Sequence, residues 1–182
     1  MTTERDILTA CQNGDKASFK KFYQLYASKM LAVCCRYMKN KEEAEDVLQE
    51  AFIKIFNNLD TFRGDAPIIY WVKKIVVNTA LNQLNKNKQW QYTDEINDKH
   101  GEEYFEEGFS LQQLNYEQLI GYVRQLPVGC QTVFNMFAIE GYKHSEIAEM
   151  LQITEGTSKS QYARSKELLK TYLMSESVRN NG

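Results

Sequence analysis

Residues 142–170 read YKHSEIAEMLQITEGTSKSQYARSKELLK, and this stretch decides the fold of the C-terminal half. Its apolar residues recur at helical spacing on both sides of a turn near Ile153, which predicts two helices joined by a tight turn. We expect Ser145 to cap the first helix and Thr154 to cap the second. The second helix opens with the run GTSK at 156–159, which presents short donors and a cation from a helix N-terminus. That arrangement suits entry into the major groove of DNA.

The length and the hydropathy of the chain set the broad class of protein. The chain has 182 residues, of which 43% are hydrophobic, and this suits one domain or two small ones with modest cores. No apolar run approaches the roughly 18 residues that would span a bilayer, and the polar N-terminus lacks the apolar stretch of a secretory signal. We therefore expect a cytoplasmic protein that does not insert directly into a membrane.

Charge is distributed unevenly along the chain. The net charge of −2 looks wrong for a DNA-binding protein until it is mapped. Residues 90–115 carry seven carboxylates and one lysine, a net of −6, so the remainder carries +4. Residues 66–90 contain four lysines and no carboxylate. The pattern indicates basic regions separated by an acidic bridge.

The cysteines favour packing over chemistry. Cys34 and Cys35 are adjacent in an apolar helical pattern, and no Cys-x-x-Cys or paired-histidine spacing accompanies them or the other two, Cys11 and Cys130. We interpret them as small core residues in preference to a redox or metal site. No nucleophile–base pair or phosphate-cradling glycine loop is visible either. The sequence therefore predicts no enzymatic activity, no metal and no cofactor.

Hydrophobic periodicity predicts an all-α fold of two small helical domains joined by a flexible acidic linker, with a helix-turn-helix in the second domain. Amphipathic patterns run through residues 5–38, with Asp15 as a cap, and through residues 41–59 and 67–86. The predicted boundaries are 1–92 for the first domain, 93–111 for the linker, 112–176 for the second domain and 177–182 for a disordered tail.

Two helices of the first domain have outer faces of unusual composition. Trp71, Lys74, Asn78 and Asn82 collect opposite an apolar face of the helix at 67–86, which suits unpaired bases and phosphates. The alternative is that Trp71 packs against a neighbouring helix and the lysines only aid solubility. On the helix at 41–59, Asp46, Gln49, Glu50 and Ile53 share the outer side. An exposed isoleucine is common, but within a charged rim it is also typical of the centre of a protein interface.

The second helix of the helix-turn-helix has an inward and an outward side. Ser158, Tyr162, Ser165 and Leu169 are expected inward. The side chains expected to point outward, or to lie near the rim in the case of the lysine, are Thr157, Lys159, Ser160, Gln161 and Arg164. Helix N-terminal amides favour phosphate, while the arginine can reach bases or phosphates. Many helical pairs of this shape bind no DNA, so the GTSKS run at 156–160 carries most of the weight.

Taken together, these runs resemble the extracytoplasmic-function sigma factors, small initiation factors of bacterial RNA polymerase. AEDVLQEAF at 44–52 resembles the polymerase-binding helix of the family. The family's promoter-melting segment, which reads the minus-ten element, resembles three runs of this chain: FRGD at 62–65, WV at 71–72 and NTALN at 78–82. The family's domain that reads the minus-thirty-five element resembles five further runs: LP at 126–127, VF at 133–134, EGY at 140–142, EIA at 146–148 and EGTSKS at 155–160. The resemblance covers roughly residues 10–90 and 112–173.

The resemblance implies specific partners for each surface. Asp46, Gln49, Glu50 and Ile53 would dock the clamp helices of the largest polymerase subunit, and the flap of the second-largest subunit is a further implied contact. A flipped base of the melted minus-ten strand would be captured by the loop that contains Phe62, Arg63, Gly64 and Asp65, and the strand would be held by Trp71, Lys74, Asn78 and Asn82. Duplex DNA at the minus-thirty-five element would be read by Thr157, Lys159, Ser160, Gln161 and Arg164. An anti-sigma factor, often membrane-bound in this family, would hold the protein inactive.

A second interpretation stays open at this level. A polymerase-independent helix-turn-helix regulator would explain residues 112–173 but would leave Trp71 and the basic helix without a role. The acidic linker adds a hypothesis to the first interpretation. Its negative charge would compete with DNA for the basic surfaces of the free protein and would weaken binding without polymerase.

Overall fold

Helices account for most of the computed structural model, which describes residues 3–86 and 116–179. Within those ranges the chain forms helices and turns and no strand. It divides into two compact units, Met1–Lys86 and Asn87–Gly182. The all-α class predicted from the sequence is confirmed. The predicted linker, residues 93–111, lies outside the described residues, so its flexibility stays a prediction.

The first unit contains four α-helices, and side-chain caps start three of them, at Thr3, Asp15 and Asn40. The helices are α1 (Glu4–Gln12), α2 (Lys16–Tyr37), α3 (Lys41–Asn57) and α4 (Ile68–Lys86). The carboxylate of Asp15 accepts hydrogen bonds from the first amides of α2, as predicted, and the Asn40 side chain accepts one from the Glu43 amide at 2.8 Å. Each cap satisfies a backbone donor that has no partner within the helix.

The core of the first unit lies where α2, α3 and α4 pack against one another. The apolar arc of the amphipathic pattern predicted for residues 41–59 is buried in full: Ala44, Val47, Leu48, Ala51, Phe52, Ile55 and Leu59. Only Leu59 lies outside α3, because the helix ends at Asn57 and a short 3₁₀ turn, Leu59–Thr61, follows. An aromatic cluster made of Phe19, Phe22, Phe52 and Phe56 joins α2 to α3. This packing turns the polar side of α3 away from the core.

The second unit is built around one long helix. Its elements are α5 (Tyr116–Val123), α6 (Val128–Phe134), a π-helical turn (Asn135–Ile139), α7 (His144–Leu151) and α8 (Glu155–Arg179). Helix α8 packs against α5, α6 and α7. Helix α8 continues to Arg179, three residues beyond the predicted end of the domain at 176. The buried cluster comprises Tyr122, Val123, Leu126, Cys130, Phe134 and Leu169.

Helix α7 starts two residues earlier than a cap at Ser145 would place it. The predicted cap at Ser145 is wrong, because the helix begins at His144 and Lys143 is its N-cap. The Glu146 side chain accepts a hydrogen bond from the Lys143 amide at 2.8 Å, so the backbone donor of the N-cap residue has a partner. Thr154 caps α8 as predicted, since its hydroxyl accepts from the Thr157 amide at 3.0 Å.

Three of the four cysteines are core residues, as predicted. Cys11, Cys34 and Cys130 are buried, whereas Cys35 is half-buried. Burial raises the pKa of Cys34 to about 12 and the pKa of Cys130 to about 11. Both are therefore protonated thiols at neutral pH and behave as small apolar side chains.

Candidate interfaces with polymerase and DNA

The outer side of α3 presents an exposed isoleucine within a polar rim. Ile53 is 61% exposed although its neighbour along the chain, Phe52, is buried. Asp46 and Gln49 are exposed on the same side, and Glu50 is half-buried. An apolar centre that is surrounded by charged and amide groups is the arrangement found at protein interfaces.

Glu50 is held in place by an ion pair that also reaches the next helix. Its carboxylate lies 2.7 Å from Lys54 Nζ, and the hydrogen bond from that lysine lowers the pKa of Glu50. The same ammonium group donates to Thr79 Oγ1 of α4 at 3.3 Å. No local pattern indicates this link, because Lys54 and Thr79 are 25 positions apart. It links α3 to α4 and keeps Glu50 charged at the rim.

The loop before α4 and the exposed side of α4 form one continuous surface. The rings of Phe62 and Trp71 are in contact, with centroids 5.7 Å apart and an angle of 55° between their planes. The loop residues Arg63, Gly64 and Asp65 are exposed, as are Lys74, Asn78 and Asn82 along the helix. Gly64 has φ +81°, which a residue with a side chain adopts only with strain. Trp71 thus packs on the loop and remains half-buried.

Tyr70 belongs to the same surface and was not singled out from the sequence. Its side chain is 62% exposed at the start of α4. Tyr70, Lys74 and Asn78 follow one another at four-residue spacing, so they form a row on the helix. The signal that could have found it is this spacing relative to Lys74.

The outer side of α8 presents short polar side chains next to one ion pair. Ser160 is exposed and its hydroxyl donates to the Thr157 carbonyl at 3.0 Å. Thr157 and Arg164 are half-buried. Lys159 is exposed and lies 2.8 Å from Glu155, which lowers the pKa of that carboxyl group. These groups lie within the first three turns of the helix.

The outward orientation predicted for Gln161 is wrong. The side chain is 7% exposed, and its amide oxygen accepts a hydrogen bond from the Cys130 thiol at 3.0 Å. The reason is that α6 covers this flank of α8 and brings Cys130 against it. Ser158, Ser165 and Leu169 are buried on the inner side, as predicted.

A second interior contact, which no local sequence pattern indicates, joins α8 to α7. His144 Nδ1 lies 2.9 Å from Ser158 Oγ, and the imidazole stacks on Phe137 with centroids 4.2 Å apart and an angle of 12°. The ring of Tyr162 completes the group at 4.6 Å from Phe137. We call these four residues the His144 cluster.

Comparisons with known proteins find one family match for each unit, region 2 in the first and region 4 in the second. Residues 22–90 match the Sigma-70 region 2 family, and residues 116–169 match the Sigma-70 region 4 family. The sigma-H factor of Pseudomonas aeruginosa is 29% identical, over 93% of this chain and 94% of that protein. The ECF sigma-E factor of Escherichia coli K12 is also 29% identical, over 92% of each. The chain belongs to the extracytoplasmic-function sigma factors.

Two solved structures share the fold. CnrH, solved with the cytosolic domain of CnrY, aligns with a TM-score of 0.52 at 16% identity, over 94% of this chain and 97% of that one. RpoE of Bartonella quintana, solved with the anti-sigma factor NepR, aligns with a TM-score of 0.53 at 19% identity, over 86% and 96%.

The family gives the function of the chain. This sigma factor directs RNA polymerase to promoters and has no enzymatic activity of its own. The polymerase-independent regulator is not favoured, because region 2 is matched as well as region 4. None of the helices in the described ranges is long and apolar enough to cross a membrane.

Proposed function

We propose that this sigma factor divides initiation among three surfaces, one for the polymerase core and two for promoter DNA. The observation that carries the proposal is the surface formed by the Phe62–Trp71 ring pair and the exposed row Lys74, Asn78 and Asn82. Rings, amides and cations on a helix without carboxylates fit an opened strand better than they fit a protein partner or a duplex.

The polymerase surface is the outer side of α3. Ile53 would enter an apolar site on the clamp helices of the largest subunit, while Asp46, Gln49 and Glu50 form the rim. A rim carboxylate that keeps its charge contributes mainly to the rate and specificity of docking, whereas the central apolar residue contributes most of the affinity.

The minus-ten surface comprises the loop before α4 and the exposed side of that helix. A flipped base would be captured by the loop residues Phe62, Arg63, Gly64 and Asp65. Trp71, Asn78 and Asn82 would stack on and hydrogen-bond the neighbouring bases, and Lys74 would meet a phosphate. Gly64 supports this role because its backbone conformation lets the loop turn back over the DNA strand.

The minus-thirty-five surface is the start of α8. The contacts would come from Thr157, Lys159, Ser160 and Arg164, and Gln161 is left out because it is buried. Lys159 would exchange Glu155 for a phosphate when DNA binds. The second unit would also contact the flap of the second-largest polymerase subunit.

Two further features of the proposal concern regulation and location. The two solved relatives were each determined with a partner protein, one of them named as an anti-sigma factor. We include an anti-sigma factor among the partners of this chain, membrane-bound as is common in the family. We place the sigma factor itself in the cytoplasm, where polymerase and promoter DNA are.

A transcription assay on a template library tests the division of labour. Each template carries two randomised windows, one at the minus-thirty-five position and one at the minus-ten position, and a barcode downstream of the start site that identifies both windows. The barcodes of the transcripts made with core polymerase are sequenced. We expect transcript only when the chain and the core are both present, with enrichment in both windows. Trp71→Ala should flatten the enrichment in the downstream window alone, and Lys159→Ala should weaken it in the upstream window alone. The reverse pattern, or enrichment that both variants reduce equally, contradicts the assignment.

The linker hypothesis is tested separately, because its residues lie outside the described ranges. Changing the seven carboxylates of residues 94–107 to amides should raise promoter affinity in the absence of polymerase at low salt, since like-charge repulsion from phosphate is removed. A titration of labelled duplex that shows no change contradicts the hypothesis.

A further inference from the structure

The His144 cluster joins three elements of the second unit at the start of the recognition helix. Phe137 comes from the π-helical turn, His144 from the first position of α7, and Ser158 and Tyr162 from α8. The Phe137 ring sets the plane of the imidazole, and the hydrogen bond to Ser158 sets its direction. Ser158 is fully buried and directly precedes Lys159. Holding Ser158 therefore fixes the rotation of α8 about its axis, which decides where Thr157, Lys159 and Ser160 point.

The ionisable groups around the imidazole come mainly from α8. Glu155, Lys159 and the phenol of Tyr162 face it from that helix, and the turn Asn135–Ile139 contributes no ionisable side chain. Its own helix adds Lys143 at the N-cap and Glu146 in the first turn. Burial lowers the pKa of His144, repulsion from Lys159 lowers it further, and Glu155 opposes both. The imidazole is therefore neutral at neutral pH in the free protein.

Duplex DNA on this surface would change that balance in one direction. Phosphates bring negative charge to the start of α8. Lys159 would turn from Glu155 toward a phosphate, which removes a repelling cation from the imidazole and leaves a carboxylate without its partner. Each change favours imidazolium. The hydrogen bond survives protonation, because the Ser158 hydroxyl can accept as well as donate.

We infer that His144 is a positioning residue for the recognition helix that takes up a proton when the second unit binds its duplex, so that recognition of the minus-thirty-five element strengthens as pH falls. This inference rests on the proposed function of α8. Linkage fixes the sign: a group whose pKa is higher in the bound state than in the free state binds protons on association, so affinity increases as pH decreases. Each unit of pKa change on binding alters the affinity by up to about tenfold.

The template library with full-length chain and core polymerase also tests this inference, at about pH 6 and about pH 8, which bracket the ordinary histidine range. The downstream window is the internal control, because titration of the polymerase itself affects every template. Three variants are compared. His144→Asn keeps a hydrogen-bonding group near Ser158 but cannot titrate, His144→Phe keeps the stack on Phe137 without the hydrogen bond, and His100→Asn removes the other histidine of the chain.

We expect upstream enrichment by the natural chain to be several-fold stronger at the lower pH, with downstream enrichment unchanged. His144→Asn should recognise the upstream element equally at both pH values, His144→Phe should lose upstream enrichment at both, and His100→Asn should behave as the natural chain. A pH response in His144→Asn equal to that of the natural chain overturns the inference. So does a natural chain that enriches both windows without any pH response, and that outcome leaves the proposed function standing. A chain that yields no transcript with core polymerase overturns both.

Discussion

Helices α4 and α8 both face DNA in the proposed function, yet they are seated on their units by different interactions. The inner side of α4 is mainly apolar, with Val72, Val76 and Ala80 fully buried. The inner side of α8 buries Ser158 and Gln161, which hydrogen-bond to His144 of α7 and to Cys130 of α6. Ser165 is buried as well, and its hydroxyl donates within α8 to the Tyr162 carbonyl. Apolar packing fixes position through volume, whereas hydrogen bonds also fix rotation because they are directional.

The difference fits what each helix must hold. A single strand is flexible and can adapt to a surface of rings, amides and cations. A duplex is stiff, and base edges in its groove are read only from a defined orientation. A helix that reads a duplex gains from interior hydrogen bonds that set its rotation, and a helix that holds a single strand does not need them.

The largest expected effect comes from the polymerase surface on α3, because a chain that cannot dock brings neither α4 nor α8 to the polymerase. Ile53→Glu places a charge at the centre of the proposed docking surface, so transcription should be lost on every template while both units stay folded. Co-purification with core polymerase and circular dichroism measure the two properties. Leu25→Glu is the matched control, because Leu25 is another exposed apolar residue of the first unit and it lies outside the proposed surface. Unchanged co-purification of Ile53→Glu contradicts the role of α3.

The next effect compares the two interiors directly. Val76→Asn buries an amide in the apolar seat of α4 and should lower the free energy of unfolding of the first unit by about 2 kcal/mol. Gln161→Leu replaces a buried amide of α8 and leaves only a weak thiol donor unpaired, so it should cost the second unit less than about 1 kcal/mol.

Hydrogen exchange with mass spectrometry assigns each change to its unit. Asn85→Val, on the exposed side of α4, is the control and should alter stability by about 0.5 kcal/mol at most. Equal losses from Val76→Asn and Gln161→Leu would remove the distinction between an apolar and a polar seat.

A smaller effect separates the two nucleic-acid partners by their salt dependence. Lys74→Ala should reduce the slope of log affinity against log salt by about 0.7 for a single strand, and Lys159→Ala should reduce it by about 0.9 for a duplex. Holoenzyme titrated with labelled single-stranded and duplex oligonucleotides gives both slopes. Lys20→Ala, an exposed lysine of α2, should change neither. A Lys74 variant that alters only the duplex slope would reverse the assignment.

The smallest effect concerns the stability of the second unit. Its His144 has a lowered pKa, so below about pH 6.5 the unfolded chain binds more protons there than the folded chain does. The contribution of neutral His144 to the free energy of unfolding should be fully present above that pH. It should decline as the pH falls toward the pKa of His144 in the folded chain. Urea unfolding across this range should show a smaller decline for His144→Asn. An identical decline in both proteins would show that other groups cause it.

Local patterns made much of the molecule predictable. The apolar arc of α3 was read correctly because helical periodicity depends only on spacing, and the caps Asp15 and Thr154 were read correctly because a cap bonds to amides two or three residues away. Gln161 was assigned to the wrong side for a comparable reason. It lies about 60° from Ser158 around the helix axis, at the edge of the inner side, and spacing could not tell whether a neighbour covers that edge.

The sequence by itself determined the helices, two of their caps, the apolar faces and the family. Only the tertiary structure decided that Trp71 rests on Phe62, that Lys54 bridges Glu50 to Thr79, that Cys130 draws Gln161 inward, and that His144 stacks on Phe137 and bonds Ser158. The physical reason is range. Periodicity and capping act within a few residues along the chain, whereas each of these contacts depends on which segment the packing of the core brings alongside.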